Sequence, residues 1–308
     1  MTKFLDVRAL WGSGDVSDVV QLREWIGGED YTDHSQYAVL SPDDLQSHIH
    51  AKDVLIATHG FNVNREDGIK NFCNWEKLLG PNPYIATDPF PGAFLGLLWP
   101  GDSESLHALS YPVEPKNATA AGNMIADFVD KNFAAATSIS FVSHSLGARV
   151  VLQAVSQMTL PVRRLILMAG AVSDHCLTKD FASVQKKVDV ISALASKKDE
   201  VLKWAFPIGD LAAEIIDHNH PWWESALGRF GPTPRPEHYR SPCQIPKGWD
   251  FGHGNYLQVD SPPHEPIPPP EDVPPQGAPP PGPYDADGKP VKGWQEAWSA
   301  SFVSSRFS

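Results

Sequence analysis

Apolar positions along this chain gather into short continuous runs that alternate with stretches of helical period. Asp53-Val-Leu-Ile-Ala-Thr58, Phe94-Leu-Gly-Leu-Leu-Trp99, Ser138-Ile-Ser-Phe-Val142, Arg164-Leu-Ile-Leu-Met-Ala-Gly170 and Val188-Asp-Val-Ile-Ser-Ala-Leu194 have the make-up of buried strands. Phe4–Leu10 and Gln36–Leu40 read as earlier strands, joined by a polar stretch rich in Gly, Asp and Ser. Helical spacing covers Glu66–Leu79, which Gly80 and Pro81 end, and Ala118–Phe133, for which Asn117 is the expected cap. A third helix runs from Leu146 to about Met158, with Val150, Val151, Ala154 and Val155 on its apolar side. Strands alternating with helices predict an α/β fold: a mostly parallel central sheet with helices on both faces.

The pattern changes after residue 200. Val201–Pro246 is longer than a simple crossover needs and reads as a cap or inserted segment at 200–246. It holds a helical stretch, Gly209–Asp217, then His220-Pro-Trp-Trp223, and from Pro232 to Pro246 an extended surface run. Gly248-Trp-Asp-Phe251 reads as strand-like. Between Ser261 and Pro290 prolines dominate, which favours extended polyproline conformation over a packed core. Beyond it, Val291, Trp294, Ala297, Trp298 and Phe302 recur at i, i+3, i+4 spacing, with Lys292, Gln295 and Glu296 off the stripe. The expected organisation is a body at 1–260, a proline-rich linker at 261–290, and a C-terminal helix within 291–308 docked on the body.

A chain of 308 residues with 42% hydrophobic and 20% charged residues is long enough for one large core. The formal net charge of −12 argues against a nucleic-acid partner and against an anionic membrane surface. No apolar run approaches the ~18 residues a membrane span needs. Met1–Leu10 carries Asp6 and Arg8 and lacks the apolar core of a secretory signal. Three widely spaced cysteines (Cys73, Cys176, Cys243) suit reduced thiols better than a disulfide framework, so a cytoplasmic location is expected. None of this sets an oligomeric state.

The candidate chemistry sits where one strand turns into a helix. In Ser143-His-Ser-Leu-Gly147 a serine occupies the tip of a strand-to-helix turn, with small residues two positions to either side. Such a turn forces the serine into a strained backbone conformation and lifts its hydroxyl clear of the sheet, at a helix N-terminus that favours developing negative charge. This is the pattern of a nucleophile elbow, with Ser145 as nucleophile. A second site is His59-Gly-Phe-Asn62, directly after the Asp53–Thr58 strand. There Gly60 lets the chain turn so that the N–H of Phe61 faces the serine. Together with the N–H of Leu146 it would make an oxyanion hole.

His59-Gly-Phe-Asn62, Trp99-Pro-Gly101 and His144-Ser-Leu-Gly147 carry a resemblance to the α/β-hydrolase superfamily over Leu55–Leu152, and are most similar to a bacterial group of poorly defined function, the DUF900-like hydrolases. Ser143 stands at the first small position, and the long proline-rich C-terminus departs from the pattern. The resemblance implies the α/β-hydrolase fold and a serine nucleophile followed in the chain by an acid and then a histidine. The candidate acids are Asp174, after the Arg164–Gly170 strand, and Asp199, in Ser196-Lys-Lys-Asp199 after the next, with Glu200 beside it; the usual acid position in these hydrolases resembles Asp199. Histidines following it are His218, His220, His238, His253 and His264. His253 is favoured because Asn255-Tyr-Leu257 resembles the residues that follow the histidine in such enzymes.

The expected reaction is cleavage of a small-molecule carboxylic ester by Ser145, His253 and Asp199, without a cofactor. Gly60, His144, Trp222 and Trp223 are candidate substrate contacts, and the two tryptophans either roof an apolar acyl pocket or pack the insert onto the body. A thioester or amide would suit the same groups. From a different class, a non-catalytic scaffold that docks through its proline-rich tail is the competing reading. His48-x-His50 and His218-x-His220 lack cysteines or carboxylates at ligand spacing, so no metal site is expected.

Overall fold

The computed structural model describes residues 1–9, 15–79, 92–102, 114–203, 225–237, 239–258, 277–282 and 284–306. Nine strands form one sheet: β1 (Lys3–Arg8), β2 (Val16–Trp25), β3 (Tyr37–Val39), β4 (Asp53–Thr58), β5 (Ala93–Leu98), β6 (Ser138–His144), β7 (Val162–Met168), β8 (Val188–Ala195) and β9 (Tyr239–Gln244). Their order is β3-β2-β1-β5-β4-β6-β7-β8-β9. β2 pairs antiparallel with both β1 and β3, and every other pairing is parallel.

The six helices described are α1 (Pro42–Ile49), α2 (Arg65–Leu79), α3 (Glu114–Asn132), α4 (Gly147–Gln157), the single turn α5 (Leu227–Phe230) and α6 (Trp294–Ser305). From β4 the chain crosses through α2 to β5 on one side, then returns through α3 to β6 on the other. Right-handed crossovers in opposite directions put α2 and α3 on opposite faces of the sheet. α3 packs on α4, and α2 packs against α6. The central strands are buried along almost their whole length, β5 at all six positions. That is why they read as unbroken apolar runs.

Three elements differ from the sequence reading. The polar stretch after β1 contains β2, whose ten residues lie mostly at half-buried or exposed positions and so give no clean alternation. The run at Pro232–Pro246 contains the edge strand β9, where Pro242 is tolerated because one side of an edge strand needs no donor. Gly248–Phe251 is not a strand: Lys247–Trp249 is a 3-10 turn, closed by Asp250 in the left-handed region at φ 52°. Asn117 lies inside the first turn of α3, which begins at Glu114, so it does not cap the helix. The Gly209–Asp217 stretch and residues 261–276 fall outside the described residues. Among those described, no helix is long and apolar enough to cross a membrane.

α6 is buried on most of its circumference. Trp294, Ala297, Trp298, Ala300, Phe302 and Val303 are all buried, as is Glu296, which the sequence reading put off the apolar stripe. Its aromatics meet the segment after β9: Trp298 stands edge-on to Trp249 at 5.1 Å and to Phe251 at 5.7 Å, and Trp294 meets Phe251 at 5.6 Å.

Candidate active site

The loops that leave the C-terminal ends of β4, β5, β6 and β8 converge with the segment after β9. In open parallel sheets this is the edge where ligands bind. At its centre β6 ends in His144 and α4 starts at Gly147, leaving a two-residue reversal. Ser145 adopts φ 55°, the left-handed region that side chains other than glycine rarely enter. Backbone bonds hold it there: Ser145 N–H donates to Met168 O at 3.0 Å, and its own carbonyl accepts from Ala148 and Ala171.

The turn fits only because two glycines leave room for it. A Cβ at Gly147 would lie 2.4 Å from His59 O, and one at Gly60 would lie 2.6 Å from Ser145 Cβ. Both distances are far inside contact, so the β4 loop and the β6–α4 turn interlock through bare backbone. The same close approach brings Gly60 beside the serine hydroxyl, whose oxygen lies 3.2 Å from where a Gly60 Cβ would stand. Leu146, the first residue after the serine, is buried at the start of α4.

Ser145, His253 and Asp199 come together across more than a hundred residues of chain. His253 Nδ1–H donates to Asp199 Oδ2 at 2.7 Å, which leaves Nε2 to accept from the Ser145 hydroxyl at 2.8 Å. Asp199 is completely buried, and its other oxygen accepts from Leu202 N–H at 2.8 Å. Of the other acids considered, Asp174 bonds instead to its neighbour His175, Oδ1 to Nδ1 at 2.7 Å, and Glu200 is exposed and pairs with Lys203. Of the other histidines, His218, His220, His238 and His264 lie outside the described residues.

His253 sits in a loop without regular structure that is held by side chains from four places. His144 Nε2–H donates to His253 O at 2.7 Å, and Ser196 Oγ–H to Phe251 O at 2.8 Å. Asn255 Oδ1 accepts from Gly252 N–H at 2.8 Å, and Ser299 Oγ–H, on α6, donates to Tyr256 O at 2.6 Å. The sequence reading named Ser196 and Asn255 only as neighbours of Asp199 and His253, with no supporting role, and did not single out Ser299. Asn255 carried a signal, since asparagine after Gly-x-Gly is turn chemistry; Ser299 had none.

His144 departs from the substrate contact expected of it. Only 2% of it is exposed, its ring packs against those of His253 and Tyr256 at 5.0 and 5.8 Å, and its Nε2 is engaged by the histidine loop. Desolvation, followed by the nearby His253, pushes its pKa down to about 3, so it stays neutral. His59 is a second buried neutral histidine, with a pKa lowered to about 3 mainly by burial. Its Nδ1–H donates to Gly60 O at 2.9 Å, its Nε2 accepts from Trp99 N–H at 3.3 Å, and its ring stacks on Trp99. Trp222 and Trp223 lie outside the described residues. His48 Nε2–H is engaged by Phe94 O at 3.1 Å, and His50 is exposed.

A family model described as an alpha/beta hydrolase of unknown function (DUF900) matches residues 40–213, more than half of the chain. No curated protein matches it. Among solved structures it resembles the esterase PE8 at 16% identity, over 66% of this chain and 86% of that one, with a TM-score of 0.36. It also resembles an inhibited esterase B from Lactobacillus rhamnosis (11% identity, 64% and 73% coverage, TM-score 0.31). A third is a hyperthermophilic esterase from the archaeon Pyrobaculum calidifontis (12% identity, 59% and 66% coverage, TM-score 0.30).

Proposed function

The chain belongs to the DUF900 family of α/β hydrolases, and we propose that it is a serine hydrolase that cleaves carboxylic esters through an acyl-enzyme. One observation carries the reading: Asp199, His253 and Ser145 are linked in series, 2.7 Å from carboxylate to imidazole and 2.8 Å from imidazole to hydroxyl. A serine hydroxyl is a poor nucleophile until a base takes its proton, and a carboxylate on Nδ1 keeps Nε2 free to be that base.

In this reading Ser145 Oγ attacks the ester carbonyl while its proton moves to His253 Nε2. The carbonyl oxygen becomes an oxyanion facing the N–H groups of Phe61 and Leu146, at the N-terminus of α4, where fixed dipoles stabilise charge by several kcal/mol. The tetrahedral intermediate collapses as His253 returns the proton to the departing alkoxide, releasing the alcohol. Water then attacks the acyl-serine by the same route in reverse order, and the acid leaves. Asp199 orients the ring and stabilises its cationic form. No cofactor takes part. The buried free thiols of Cys73 and Cys176 support a reducing, cytoplasmic setting.

The test is a panel of p-nitrophenyl esters of graded acyl length, assayed with the wild-type chain and Ser145→Ala. Hydrolysis that falls by at least about a thousandfold in the variant supports the reading. Equal rates for the two proteins would refute it.

A further inference from the structure

Beneath the β4 loop lies a cluster of buried charges that the proposed chemistry does not use. Arg8, at the end of β1, is 1% exposed. Its Nη1 donates to two backbone carbonyls, Trp99 O at 2.9 Å and Val63 O at 3.2 Å, and its Nη2 is paired with Asp102. The Arg8 backbone is held in turn. Its N–H donates to Asp6 Oδ1 at 2.9 Å, and its carbonyl accepts from Gln21 Nε2 at 3.0 Å and Arg65 Nη2 at 3.3 Å. Asp6, fully buried, also accepts from Tyr37 OH at 2.9 Å and pairs with Arg65 Nε at 3.0 Å.

Burying charges in this way is poor economy if stability is the only return, since apolar residues of similar volume usually do as well. The contacts point to geometry instead. Gly60 C=O and Phe61 N–H belong to one planar trans peptide and point in opposite directions, so whatever fixes the carbonyl aims the N–H. The carbonyl is fixed by His59 Nδ1–H, and His59 Nε2 by the backbone N–H of Trp99, whose indole N–H also donates to His59 O at 2.8 Å. Asn62 N–H, one residue on, donates to Gly101 O at 2.7 Å. Arg8 ties down the carbonyl of Trp99 at one end of this clamp and that of Val63 at the other.

We propose that Arg8, paired with Asp102, is a positioning residue for the oxyanion hole: its guanidinium locks the His59–Val63 loop to the Trp99–Asp102 loop and thereby aims the Phe61 N–H at the oxygen of the carbonyl that Ser145 attacks. The proposal rests on the hydrolase reading given above. It concerns transition-state stabilisation, so its loss acts on kcat and leaves KM nearly unchanged.

Two variants test it. Arg8→Met combined with Asp102→Asn removes both charges and leaves no orphaned ion. It should lower kcat between about tenfold and a hundredfold while KM stays within about threefold. Arg8→Lys keeps the charge and the pairing with Asp102 but replaces the planar fork by a compact ammonium. It should fold and retain an intermediate kcat, so it carries the test even if the double variant is unstable. Unchanged kcat in Arg8→Lys, a kcat no better than that of a folded double variant, or a rise in KM at constant kcat overturns the role. A wild-type protein that neither hydrolyses esters nor takes a fluorophosphonate on Ser145 overturns the hydrolase reading itself. An active wild type with unaffected variants overturns only the role of Arg8.

Discussion

The two halves of the candidate site are built by different means. The serine half depends on close backbone approach: β4 and β6 lie side by side, and their outgoing loops interlock where Gly60 and Gly147 carry no side chain. The histidine half has no strand or helix of its own. It is a loop pinned by single hydrogen bonds from His144, Ser196, Asn255 and Ser299, and roofed by the tryptophans of α6. Backbone interlocking leaves no intermediate states, because an added methyl group has nowhere to go. A loop held by separate bonds loosens one bond at a time. The comparison predicts abrupt failure in the first half and graded failure in the second, except where the support of the second is removed whole.

Removing that support has the largest effect. Truncation before Ser261 deletes α6 and uncovers Trp249 and Phe251. Burial of Trp294, Trp298 and Phe302 is worth on the order of 2 kcal/mol each, so the truncated chain should be insoluble or markedly less heat-stable. An unchanged melting temperature and esterase rate would show that α6 is dispensable and that the histidine loop stands without it.

Next comes the linkage between the halves. Asp199→Asn leaves the imidazole in the wrong tautomer and should lower kcat by about 10⁴-fold. Asp174→Asn, whose carboxylate serves His175, should stay within about tenfold. The reverse ranking would move the acid to the end of β7.

A paired measurement sharpens the contrast. Gly60→Ala forces a methyl group to within 2.6 Å of Ser145 Cβ and should cost at least about a hundredfold in kcat, in line with a misplacement of about 1 Å. Ser299→Ala removes one hydroxyl from the histidine loop. It should cost about 1 kcal/mol of stability and less than tenfold in rate. A greater loss of activity in the serine-299 variant would erase the distinction between the halves.

A pH dependence is shared by both halves. His59 lies under one half and His144 against the other, each with a folded pKa lowered to about 3 from an ordinary 6.5. Below pH 6.5 the unfolded chain binds protons that the folded chain refuses. Stability present above that pH is therefore lost as pH falls towards 3, by up to about 1.4 kcal/mol per pH unit for each histidine. Urea midpoints should drop between pH 6.5 and 5, with a shallower fall in His144→Gln. A flat profile in the wild type would contradict the burial of these rings.

The same contrast governs what the sequence makes legible. The α/β-hydrolase fold could be read because β4 to β8 are buried on both faces and their composition says so directly. β2 and β9 escaped, one because it is half exposed, the other because its proline is tolerated at an edge. Ser145 and Gly60 were legible as local patterns, since the strand, the turn and the helix are adjacent in the chain. Asp199 and His253 needed the family resemblance to single them out from other acids and histidines, because nothing local distinguishes them. Arg8, Ser196 and Ser299 act on segments 43 to 91 residues away, and no local pattern marks such a contact.

The account rests on an activated serine at one position, and covalent labelling tests that most directly. The native chain should react with a fluorophosphonate probe at a single residue, identified as Ser145 by peptide mapping, and the folded Ser145→Ala protein should take no label. A native chain that remains unlabelled, or a label that persists in the alanine variant, would contradict it.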